Sequence, residues 1–172
     1  VVIGNAPKVV WQLGFVQFVS WFALFLMWVY TTRAIANQVW GPDAIDAKSV
    51  GFNEAGDWTG VMFAFYSAVA ALYSLLIPKI AKAIGRKKVY SFSLLLGGIG
   101  LISMMLVEDK NVLLLSISGV GLAWAAILAM PYAMLSGSLP ADKMGVYMGL
   151  FNATITLPQI TAGILGSTLI AF

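Results

Sequence analysis

Leu13–Thr32 reads LGFVQFVSWFALFLMWVYTT, twenty residues without a charge. A bilayer core about 30 Å thick needs roughly 20 apolar residues of helix, so this run alone is long enough to cross one. It also carries an amide, Gln17, and two indoles, Trp21 and Trp28. At helical spacing Gln17, Ser20, Trp21, Leu24, Trp28 and Thr31 share one face, and Phe15, Val19, Phe22, Leu26 and Val29 share another. The second face suits lipid. The first does not, because an amide in hydrocarbon is costly unless it is paired or wet.

The rest of the chain has the same character. Of its 172 residues 60% are hydrophobic and 10% charged, with a mean hydropathy of +0.91. Soluble domains run at about 45–50% apolar and 25% charged, so an all-α integral membrane protein is expected. The chain has neither cysteine nor histidine. That removes thiol nucleophiles, Ser-His-Asp triads, histidine metal sites and histidine proton relays. An enzyme is not expected, nor a metal or cofactor, and nothing points to nucleic acid.

Five apolar runs stand between polar breaks: Val9–Thr31, Gly60–Ile80, Val89–Val107, Val112–Leu135 and Gly145–Phe172. They form one membrane domain over 1–172. Transporter repeats usually come in threes or sixes, so five is an odd number for a complete one. The opening VVIGNAPK has no initiator Met, and the closing STLIAF stops within apolar sequence, so a partial chain is expected.

Alternate connectors lie on opposite sides of a bilayer. Lys8, Lys143 and the basic connector residues Lys79, Lys82, Arg86, Lys87 and Lys88 fall on one side, against Arg33, Lys48 and Lys110 on the other. Seven against three places the N-terminus and the GRKK loop inside and the C-terminus outside, in the plasma or inner membrane. Each basic residue beside an anionic leaflet is worth about 1 kcal/mol.

The second run carries Tyr66 with Ser67 and Tyr73 with Ser74. The third has Gly97, Gly98 and Gly100 but no polar centre, and reads as peripheral. The fourth interrupts itself with Gly119, Gly121 and Pro131, beside Trp124 and Tyr132, and reads as a helix that bends and lines a cavity. In the fifth, Gly145 and Gly149 have GxxxG spacing, and Asn152 and Gln159 stand seven apart on one face. No acid or base lies near the centre of a run, which argues against an ion channel with a charged ring.

Amides beside indole and phenol faces suit a neutral, polyhydroxylated ligand. The expected substrate-binding set is Gln17, Trp21, Trp28, Tyr66, Trp124, Tyr132, Asn152 and Gln159. Gly119, Gly121, Pro131, Gly145 and Gly149 form the expected conformational set. Two other readings use the same residues: amides that only bond helix to helix in an assembly module, and a small homo-oligomeric pore.

VQFVSWFALFLMWVYTT, AGDWTGVMFAFYSAVAAL, GLAWAAILAMPYAMLSGSLPADKMGVYMGLFNATITLPQI and the GRKK loop resemble the second half of major facilitator superfamily sugar transporters. The resemblance is to the glycoside/sucrose:cation symporter branch. It implies that the five runs are helices seven to eleven of a twelve-helix protein, most of a C-terminal six-helix bundle. It also implies alternating-access transport of a neutral sugar, with proton or sodium coupling through the missing N-terminal half. On that mapping the first and fourth helices line the cavity, the second and fifth face the other bundle, and the third is peripheral. Two departures stand out. Lys82 stands near where the family often has an acid, and Thr31 and Thr32 occupy the place of an aspartate in sucrose symporters.

Overall fold

The structure, a computed structural model, describes residues 6–170. The first five residues and the last two, which include the end of the fifth expected run, lie outside the described residues. Five long helices follow one another: α1 (Lys8–Ile35), α2 (Val50–Ile84), α3 (Arg86–Met104), α4 (Val112–Ser136) and α5 (Met144–Ile170). Four of them, α1, α2, α4 and α5, are long and apolar enough to cross a membrane. α3, with 19 residues and three basic residues in its first turn, is the shortest.

The helices overrun the apolar segments, because a helix needs only intact backbone bonding whereas apolarity stops at the membrane surface. α1 continues through Arg33 and closes in a π-helical turn, Ala36–Trp40, that ends at Gly41 with φ +93° before Pro42. Its buried stripe of Val10, Leu13, Gln17, Leu24, Met27, Thr31 and Ile35 keeps the three-and-four spacing, while Phe15, Val19 and Val29 stand exposed.

α2 begins at Val50, not Gly60, so Glu54 and Asp57 are helical and not part of a loop. The cause is a cap: Ser49 Oγ accepts the Phe52 backbone N–H at 3.0 Å, satisfying one of the orphan donors of the first turn. With 35 residues α2 is about 52 Å long and projects roughly 20 Å beyond a bilayer core.

The GRKK stretch is likewise no loop. α2 runs to Ile84, Gly85 turns the chain at φ +91°, and α3 starts at Arg86. Gly85 donates its backbone N–H to the Ala81 carbonyl at 2.9 Å, closing α2. Lys79 and Lys82 therefore sit near the C-terminal end of α2, which favours cations. Arg86, Lys87 and Lys88 sit at the N-terminal end of α3, which disfavours them by about 0.3–1 kcal/mol each.

By compactness the chain falls into two units, Val1–Val29 with Pro131–Phe172, and Tyr30–Met130. In the second unit α3 and α4 form a close antiparallel pair. A Cβ on Gly100 would stand 2.4 Å from the Ser116 carbonyl oxygen, and one on Gly119 would stand 2.4 Å from that of Leu96. The turn between them is set by Asp109, whose Oδ1 accepts the N–H groups of Asn111 (2.7 Å) and Val112 (3.2 Å). One end of this unit is stitched together. Gln38 Nε2 donates to the carbonyls of Met104, at 3.0 Å, and Val107. Trp40 Nε1 reaches Glu54 at 2.7 Å, and Trp58 Nε1 reaches the Lys110 carbonyl at 2.8 Å with the Lys110 ammonium over its ring.

Candidate functional site

In the first unit α1 and α5 lie side by side and run in the same direction. A Cβ on Gly14 would meet Thr154 at 3.0 Å, and one on Gly163 would meet the Phe25 ring at 3.9 Å, so advancing along one helix advances along the other. The end of α4 returns antiparallel against the start of α5. There Tyr132 donates its hydroxyl to Asn152 Oδ1 at 2.8 Å, and its ring stands edge-on to Phe151 at 5.5 Å. Phe151 is fully buried, so the phenol is held from both sides.

Asn152 itself is exposed. It lies eight residues into α5, about 12 Å along the helix from Met144. Tyr132 occupies its oxygen, and its Nδ2 has no partner among the described residues. An unpaired amide costs on the order of 2 kcal/mol or more in hydrocarbon, so a group that accepts its hydrogen bonds would be favoured beside it.

The other expected residues of this unit have different surroundings. Gln17 is fully buried, and its amide is engaged inside the protein. Trp21 and Trp28 stack edge-to-face one on the other, with centroids 6.1 Å apart at 69°, and both rings remain half-buried. Gln159 turns back on its own helix, donating Nε2 to the Ile155 carbonyl at 2.9 Å. Asn152 and Gln159 are thus seven residues apart but not bonded to each other. Pro131 is buried within an unbroken α4.

The second unit holds an open groove of about 330 Å³ between α2 and α4. Its walls are Ser67, Ala70, Ala71 and Ser74 from α2, facing Trp124, Ala125, Leu128 and Ala129 from α4. The volume is at the lower end of ligand pockets. Both serines hand their protons to their own helix, Ser67 to the Phe63 carbonyl and Ser74 to that of Ala71, each at 2.7 Å, which leaves their oxygens as acceptors. Of the expected residues only Trp124 lines this groove. Tyr66 is buried, with its ring edge-on to Phe63 at 5.7 Å. Ser67, Ser74 and the alanines were not among the expected ligands. Their signal was a run of small residues at spacings of three and four along α2, which leaves room opposite an indole.

The sequence model of the Major Facilitator Superfamily matches residues 10–172. The chain belongs to this superfamily. No curated protein and no solved structure matches it. Facilitators are membrane transporters, and the long apolar helices of this one make it a multi-pass membrane protein in contact with the bilayer.

The glycines of the facilitator chain divide by environment. Gly119 and Gly121 lie on opposite sides of α4, and a Cβ on Gly121 would stand 2.6 Å from the Tyr66 carbonyl oxygen. α4 is therefore held against α3 by the first and against α2 by the second. Gly145 and Gly149 have nothing within 4 Å of such a Cβ, so the first turns of α5 leave that side open. Lys79, Lys82, Arg86, Lys87 and Lys88 are all exposed.

Proposed function

We propose that this facilitator chain forms the C-terminal half, helices seven to eleven, of a secondary carrier that moves a neutral sugar by alternating access. The observation that carries the reading is the Tyr132–Asn152 pair: an exposed amide on a long apolar helix whose oxygen is taken by a phenol, which leaves its N–H donors for a ligand. A sugar oxygen can accept those donors, and the indoles of Trp21 and Trp28, in the same unit, offer flat faces on which sugar C–H surfaces pack. The midspan positions carry no charge, which fits a neutral solute better than an ionic one.

In this account the bundle rocks against the N-terminal half and exposes the site to each side in turn. The half described here has no membrane-centred carboxylate, so proton or sodium coupling belongs to the other half. In this reading the N-terminus and the α2–α3 tip face the cytoplasm and the C-terminus the outside of the cell membrane, which the excess of basic residues on the first side supports. The test is uptake by the full-length transporter in proteoliposomes, comparing labelled sucrose and maltose with a charged amino acid and a carboxylate sugar. Saturable uptake of a neutral disaccharide is expected; uptake confined to charged solutes would overturn the reading.

A further inference from the structure

The tip where α2 meets α3 carries the densest charge of the chain. Between Asp57 and Glu108 there is no acid, and the only charged residues are Lys79, Lys82, Arg86, Lys87 and Lys88, within ten residues of one another. The two helices run antiparallel, joined by a hydrogen bond of 2.9 Å between the Tyr73 hydroxyl and Ser93 Oγ, so all five cations gather around Gly85. Three of them stand in the first turn of α3, where the helix dipole repels them. An anion nearby relieves the mutual repulsion of like charges so placed.

The surroundings identify which anion. On α2, Leu72, Leu75 and Leu76 are more than half exposed, and on α3 Phe92 and Leu95 are too. Leu75 lies four residues before Lys79, and Phe92 four after Lys88, so the apolar surface begins about 6 Å along each helix from the cations. Charged group above and apolar surface one turn below is the profile of a phospholipid, headgroup first and acyl chain next.

We infer that this tip binds an anionic phospholipid, with Lys82, Arg86, Lys87 and Lys88 around the headgroup phosphate and Leu75, Leu76 and Phe92 along its chains. Beyond fixing topology, the basic cluster then makes the stability of the protein depend on lipid charge. Each cation near an anionic surface strengthens the attraction about fivefold.

The experiment is a thermal melt of the purified full chain in mild detergent, with added phosphatidylglycerol, phosphatidylcholine or inorganic phosphate. Phosphatidylglycerol should raise the midpoint by about 5 °C more than phosphatidylcholine, and inorganic phosphate should not reproduce that difference. The variant carrying Lys82→Gln, Arg86→Gln, Lys87→Gln and Lys88→Gln should lose the difference while melting normally in phosphatidylcholine. If that variant does not fold, the wild-type protein decides, because the difference must shrink as salt screens the cluster. Equal effects of the two lipids, a difference insensitive to salt, a variant that keeps it, or full stabilisation by inorganic phosphate would each overturn the inference.

Discussion

Asn152 and Gln17 are both amides within long apolar helices, yet one is exposed and the other sealed. Residue type and spacing made both conspicuous, since amides are rare in such helices, and Gln17 shared a face with Trp21 and Trp28 while Asn152 shared one with Gln159. Nothing in the spacing distinguishes inward from outward, because periodicity defines a face but not what packs on it. The close approach of Gly14 to Thr154, one turn from Gln17, closes that region. Changing Gln17 to Leu should therefore act on stability, leaving the groups it engages unpaired and lowering the folding free energy by about 1–3 kcal/mol, measurable as a lower melting midpoint in detergent.

Helix bounds and helix contacts show a second limit. Apolar runs locate the membrane-crossing core of each helix but miss what continues outside it, as at the Ser49 cap and in the Gly85 turn that replaces an expected loop. Glycine content likewise did not separate packing from openness, since a glycine reads the same in sequence whether or not a carbonyl stands against it. The structure separates them. Gly119→Ala should cost about 1–3 kcal/mol, because the Leu96 carbonyl occupies the space, whereas Gly149→Ala should leave the melting midpoint unchanged or slightly higher. Gln38→Leu should free the end of α3 by uncapping two carbonyls, and amide hydrogen exchange should speed up at the Glu108–Lys110 turn while the centres of α3 and α4 stay protected.

The fold class was legible at the scale of the whole molecule: composition called for an all-α membrane protein, and the long helices and the superfamily match agree. The transport role follows at the level of the family, while the choice of a neutral sugar rests on the chemistry of a few side chains. Two amides that look equivalent in sequence differ in environment, Gln17 buried and Asn152 exposed beside Tyr132. The measurement that tests this account most directly is uptake of a labelled neutral disaccharide by proteoliposomes of the full-length transporter carrying Asn152→Leu, alongside its melting midpoint. The account predicts uptake reduced at least about tenfold with a midpoint lowered by no more than the few degrees that losing the Tyr132 hydrogen bond explains. Uptake with the wild-type KM and maximal rate would contradict it.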